Sequence, residues 1–395
     1  MLTVTAAVAA ACTVQTVSTP STSPPTAAST PSALPAQSDD HLFAVLQVSG
    51  GDAAGSTRLA HDGVAIMGRD GRVRARASFQ PRRIPQICMA APVLQPEATV
   101  ADGALFFMDG KGVVRRLDPD GSLADVAAFN IGSQDQFAFA VRPDGRRVMA
   151  SIITNPTYAA SGDGPCGAQQ GGWRQRVEVA AVGGIPSVLW SRDSNLPPSY
   201  DGAPPEVAQP GFISTQLVAW DRTGPVELVG AYMAMQNDPY PPGHHWYGGH
   251  LARAGEDGKP ASTIGGADCR PWAIDLAGRT MCLNNPTSGA AGVVTVRSST
   301  GERLWSLSGG TDHLALSPDG RRIAMTGAIV GANGSRQVLP RDFYPEGWLD
   351  ATTLIGRHGG APDDELGGNL ALLGLSSANK VDDFGFRGSL AGVVR

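Results

Sequence analysis

The sequence predicts an all-β fold built from repeated four-stranded units. Three observations carry that expectation: the residue balance, a recurring strand–turn–strand frame, and the spacing of that frame. Among 395 residues, Gly (50) and Pro (30) are plentiful while charged side chains make up only 17%. Such a balance favours frequent turns over long helices, and no long run of Glu, Lys, Gln and Leu at helical spacing occurs. With 42% hydrophobic residues, the chain carries enough apolar material for one large domain or two ordinary ones.

The frame appears in three places. Phe137 to Ala150 reads FAFAVRPDGRRVMA, His313 to Met325 reads HLALSPDGRRIAM, and Pro271 to Leu283 reads PWAIDLAGRTMCL. Gly145, Gly278 and Gly320 align, each closing a tight turn between two alternating strands. Asp-Gly supplies the positive φ such a turn needs, and ten Asp-Gly pairs occur along the chain. Trp348 to Gly356, WLDATTLIG, reads as a further inner hairpin whose turn has lost its Asp-Gly. Small residues such as Ala138 and Ala315 on the first strand of a unit suit a crowded central channel.

Gly278 and Gly320 lie 42 residues apart, and Gly145 and Gly278 lie 133 apart, about three such steps. A period of roughly 40–50 residues with four short strands per unit is the signature of a β-propeller. The repeating part, residues 41–395, then holds seven four-stranded blades, with six and eight as the neighbouring counts. The expected blades run 42–80, 97–130, 136–192, 212–265, 270–309, 311–345 and 346–394. Pairing of the strand from Leu42 to Val48 with the last blade would close the ring and remove an exposed edge. Two packed β-sandwich domains are the competing fold, and they leave the repeated frame unexplained. The S-P-D-G-R-R-I-A wording resembles the repeats of the periplasmic Tol-system propeller and of prolyl-oligopeptidase propellers. That resemblance implies the same fold.

Upstream of the repeats, residues Leu2 to Ala11 are small and mostly apolar and lead directly to Cys12. Residues 13–40 are almost entirely Ser, Thr, Pro, Ala and Gln, a composition that behaves as a solvated tether. This arrangement resembles a lipoprotein signal peptide, with residues 1–12 ending at the lipidated cysteine, although Ala9 stands where that family usually has Leu and no basic residue precedes the apolar stretch. A start codon placed too far downstream accounts for the missing basic residue. The resemblance implies an exported chain held to the membrane on its extracytoplasmic side by a lipid on Cys12.

Four cysteines remain: Cys88, Cys166, Cys269 and Cys282. An even number in an exported chain points to two disulfides with three pairings open. Cys269 and Cys282 lie near the base of one expected hairpin, which favours that bridge and leaves Cys88 with Cys166. No C-x-x-C spacing supports zinc or redox chemistry, and no metal is expected.

Net charge is −5, and the 28 Arg and 3 Lys form no basic stripe, so no nucleic-acid partner is expected. No apolar run approaches the roughly 20 residues of a membrane-spanning helix. Gly-x-Ser-x-Gly, His-Glu-x-x-His and phosphate-loop motifs are absent from the sequence. Gly162 to Gly167 matches G-x-G-x-x-G, but Pro165 and Cys166 sit inside it and no helical pattern follows. Asp118-Pro119-Asp120-Gly121 echoes a calcium loop without its later ligands and reads better as a turn.

One stretch is singled out for binding: Tyr232 to His250, YMAMQNDPYPPGHHWYGGH. Tyr240, His244, His245, Trp246, Tyr247 and His250 bring aromatic and imidazole groups onto one long connection. Rigid scaffolds present function on such loops, and aromatics with polar edges suit peptides, glycans or protein partners. Pinning down a Pro-rich loop is their alternative, purely structural use, and metal ligation by His244 and His250 is a third reading. The expected function is a membrane-anchored binding or scaffold module for a protein, peptide or glycan. The alternatives are a propeller enzyme of the lactonase, glycosidase or quinone-dehydrogenase kind with its site at a channel mouth, and an envelope-assembly accessory like the Tol-system propeller. The sequence selects no catalytic residue and no cofactor.

Overall fold

A computed structural model describes residues 41–47, 62–79, 98–132, 135–154, 173–194, 215–231, 248–265, 269, 271–284, 292–309, 314–360, 368–375 and 379–395. Twenty-eight strands among them form seven four-stranded antiparallel sheets, the blades of a propeller. From the centre outward, blade 1 is Gly388–Val394, Leu42–Gln47, Gly63–Gly68 and Val73–Ser78. In the same order, blade 2 is Ala98–Ala101, Ala104–Met108, Val113–Leu117 and Leu123–Ala128. Blade 3 is Gln136–Val141, Arg147–Thr154, Trp173–Ala181 and Ser187–Ser194; blade 4 is Thr215–Asp221, Gly224–Ala231, Gly248–Ala254 and Pro260–Ile264. Blade 5 is Pro271–Ile274, Thr280–Asn284, Val293–Arg297 and Arg303–Ser308; blade 6 is Ala315–Leu316, Arg322–Met325, Ala328–Gly331 and Arg336–Val338. Blade 7 is Phe343–Trp348, Thr353–His358, Asn369–Gly374 and Lys380–Asp383.

The three sequence frames are the inner hairpins of blades 3, 5 and 6. Their turns close alike, with Gly145 N–H donating to Arg142 O, Gly278 N–H to Asp275 O and Gly320 N–H to Ser317 O, each at 2.8 Å. The three glycines have φ of 69°, 76° and 73°, a region that costs other residues roughly 1–2 kcal/mol. Ala138 and Ala315 are buried on the innermost strands of blades 3 and 6. Two boundaries differ from the sequence expectation. Blade 6 ends at Val338 and blade 7 starts at Phe343, because Pro345-Glu346-Gly347 breaks the alternation and forms a bulge inside the innermost strand. The strand Leu42–Gln47 pairs with Gly388–Val394, but the latter leaves blade 7 and becomes the innermost strand of blade 1.

The core lies between blades, one apolar cluster per seam. Blades 2 and 3 meet through Phe106, Met108, Phe137 and Phe139, and blades 7 and 1 through Phe43, Met67, Ile355 and Leu372. In three seams an indole N–H also crosses: Trp305 donates to Gly320 O and Trp348 to Ala315 O, both at 2.9 Å, and Trp190 donates to Gly258 O. Such a bond satisfies the one polar atom of a largely buried ring.

Candidate functional site

Antiparallel order from the centre outward divides the connections between two faces. Links from first to second and from third to fourth strand return on one face, the turn face. Links from second to third strand and from blade to blade lie on the other. Short blade-to-blade links such as residues 339–342 keep successive blades in the same sense. On the turn face no connection exceeds five residues, the length of 142–146 and 275–279. All the longest connections, 48–62, 79–97, 155–172, 195–214 and 232–247, belong to the opposite face.

Aspartates organise the turn face. In blade 4, Asp221 Oδ1 accepts from Thr223 N at 2.7 Å and Gly224 N at 3.1 Å, while Arg253 grips both carboxylate oxygens at 2.8 and 2.7 Å. Burial pushes this carboxyl up, yet Arg253 and Thr223 together hold it below its ordinary value. Asp102 of blade 2 accepts from Arg116 on one carboxylate oxygen, at 2.9 Å. In blade 3 the Arg142 guanidinium pulls Asp144 down to about 2. Asp350 of blade 7 accepts from Thr352 N at 2.6 Å and from Arg69 of blade 1 at 3.0 Å. Burial pushes Asp350 up, and those donors hold it below its ordinary value. These carboxylates are committed to turn closure.

A depression of about 650 Å³ opens at the mouth of the channel on this face. Leu42, Pro119, Pro318, Leu349 and Val394 form its apolar walls, with His41, Asp350 and Arg395 among its polar lining. The chain therefore enters the propeller on the turn face, at His41. Among the described residues, no cluster of three His, Cys, Asp or Glu has the geometry to hold a metal. The innermost strands carry apolar or small buried residues such as Ala98, Phe137, Ala138, Leu217, Trp272 and Phe343.

Glu346, on the innermost strand of blade 7, is a buried exception. Its Oε2 accepts the Leu390 N–H at 2.7 Å, and its Oε1 lies 2.8 Å from Nε of buried Arg357. That contact is an ion pair without hydrogen-bond alignment, and Arg357 Nη1 has no hydrogen-bond partner among the described residues. Both groups sit where blade 7 meets the closing strand of blade 1.

Of the residues singled out in the sequence, Tyr240, His244, His245, Trp246 and Tyr247 lie outside the described residues, as do Cys12, Cys88 and Cys166. His250 is half-buried on the third strand of blade 4, opposite Val229, at the edge of the long-connection face. Cys269 and Cys282 form a disulfide with Cα atoms 4.9 Å apart, tying the link that precedes blade 5 to that blade's second strand. Sequence reasoning missed Glu227, Glu346 and Arg357. A charged residue inside a strand normally signals its solvent face, and nothing in the one-dimensional pattern marks these three as buried.

No protein-family model matches this chain, and neither does any curated protein sequence. Solved structures do resemble it in overall shape. A hydrazine synthase structure from Kuenenia stuttgartiensis is 13% identical, with 76% of this chain and 81% of that one covered, at a TM-score of 0.38. The Dos1 propeller is 12% identical over 84% of this chain and 88% of its own, at 0.41. BamB from Moraxella catarrhalis is 13% identical over 75% and 76%, at 0.32. Likeness at this level carries no role to the present chain.

Proposed function

We propose that this chain is an extracytoplasmic propeller, anchored through a lipid on Cys12, that binds a protein, peptide or glycan with its long-connection face. The division of the connections carries the reading: the chain enters among turns of at most five residues, and every longest connection leaves from the opposite face. A scaffold that keeps one face trimmed and elaborates the other presents the elaborated face. Aromatic and imidazole groups from Tyr240 to His250 are the proposed contact residues, and no cofactor enters the reading.

The test replaces residues 240–247 with a Gly-Ser linker and compares the variant with the intact chain. Both are screened against cell-wall glycan fragments and a displayed peptide library. Binding by the intact chain that the variant loses, at unchanged melting temperature, supports the reading. Turnover of small-molecule substrates by both proteins, without such binding, replaces it with an enzyme working at a channel mouth. Membrane release of a Cys12→Ala chain tests the anchor separately.

A further inference from the structure

The seam between blades 3 and 4 buries a carboxyl group, that of Glu227. Its buried apolar set, among the described residues, is Ala140, Met149 and Val177 of blade 3 with Leu217 of blade 4, and Val179, Leu189, Trp190 and Trp220 pack against it half-buried. The seam between blades 4 and 5 likewise has four buried apolar residues, against fifteen between blades 2 and 3, among the described residues. Into the contact between blades 3 and 4, blade 4 directs Glu227. Its strand neighbours Val226 and Leu228 pack toward blade 5, so alternation turns Glu227 the other way, beside its register partner Leu217. The Glu227 side chain is 0% exposed, and neither carboxyl oxygen has a hydrogen-bond partner among the described residues.

Among the described residues, two blades supply the groups that face it. From blade 3 come Ser151 and Gln175, uncharged and bonded to each other at 3.0 Å, with Arg192 opposite Gln175 on the outer strand. From blade 4 come His250, on the same face of the neighbouring strand, and Asp257 in the adjoining turn. That turn is itself held to blade 3 by the Trp190 indole N–H, which donates to Gly258 O.

We propose that this seam is a proton-controlled gate in the ring, shut while Glu227 keeps its proton and loosened when it gives that proton to solvent. Burial in the apolar seam, and secondarily the like charge of Asp257, push the Glu227 carboxyl up to about 8 from an ordinary 4.5. An opened seam hydrates the carboxyl and returns it to the ordinary value. Between those two values the open form is ionised and the shut form is not, so opening becomes easier as pH rises. Above about 8 both forms are ionised and the dependence ends. Blades 3 and 4 are also the blades from which connections 155–172, 195–214 and 232–247 leave.

Hydrogen exchange of the full chain, followed by mass spectrometry and corrected for intrinsic rates, tests the gate. The opening equilibrium of Arg147–Thr154 and Gly224–Ala231 is expected to rise toward tenfold per pH unit between 4.5 and about 8, then level off. Strands of blades 2 and 7 should not share that slope. Glu227→Gln and Glu227→Met should both abolish it, the second by filling the seam with an apolar chain of similar size. The same slope in either variant, a flat profile in the unaltered chain, or equal opening in every blade would overturn the proposal.

Discussion

The buried pair at the ring closure gives the most direct test of how this propeller is held together. Glu346 and Arg357 have side chains 1% and 2% exposed, so each would be an uncompensated buried charge if the other were removed. Breaking such a pair from one side typically costs about 3–5 kcal/mol. Glu346→Gln strands the Arg357 charge, and Arg357→Met strands the Glu346 charge, so each single change should cost that much. The double change leaves no charge, and the introduced amide oxygen can still accept the Leu390 N–H now held by Glu346 Oε2. It should therefore return to within about 1 kcal/mol of the original protein, since neutral replacements of imperfectly satisfied buried pairs are often tolerated. Urea unfolding followed by circular dichroism reads this as a midpoint lowered by on the order of 1 M in each single variant and restored in the double. Single changes that cost under about 1 kcal/mol, or a double change that costs the sum of both, would refute the reasoning.

Reducing the Cys269–Cys282 bridge frees a loop with sequence separation 13, worth about 3 kcal/mol in the chain-entropy model. For a unit running from Asp40 to Arg395 that loss lowers the melting temperature by on the order of 4 °C, measurable by calorimetry with and without a reductant. Acid should weaken the turn face: Asp144, Asp221, Asp319 and Asp350 are all held below 3.8 in the folded chain. Their stabilisation is complete above that value and is lost as pH falls toward 2, so the melting temperature should drop steeply there and less so in Asp221→Asn. Gly356→Ala places a methyl 2.2 Å from the Tyr344 carbonyl across the strand pair and should cost at least roughly 1–3 kcal/mol, read by the same urea titration.

Most of the architecture could be read from the chain because the inner hairpins repeat a demanding local chemistry. Gly145, Gly278 and Gly320 each sit where only a left-handed residue closes the turn, and their spacing counts the blades. Cys269 and Cys282 were readable for a similar reason, being close along the chain on either side of one hairpin. Blade 7 was harder to delimit, since Pro345 and Glu346 look like loop residues and only the bulge makes room for them in a strand. Glu227 and Arg357 were unreadable as core residues, because alternation records polarity and not which neighbour a strand will meet. The channel mouth on the turn face combines residues as distant as His41, Gly103, Pro318 and Arg395, a grouping that exists only once the ring closes.

The closing strand has a consequence for how the protein comes into being. Leu42–Gln47 precedes every other described strand, yet its inner partner Gly388–Val394 follows all of them. Until that partner arrives, Phe43, Ala44, Val45 and Leu46, all fully buried in the finished ring, border an open hydrogen-bonding edge. Until the two strands meet, the ring stays open at blade 1 with one adhesive edge. Pairing across such a sequence distance is slow, and an exposed apolar edge recruits other chains. A chain that stops short of Gly388 lacks the strand that closes blade 1 and should not complete the ring.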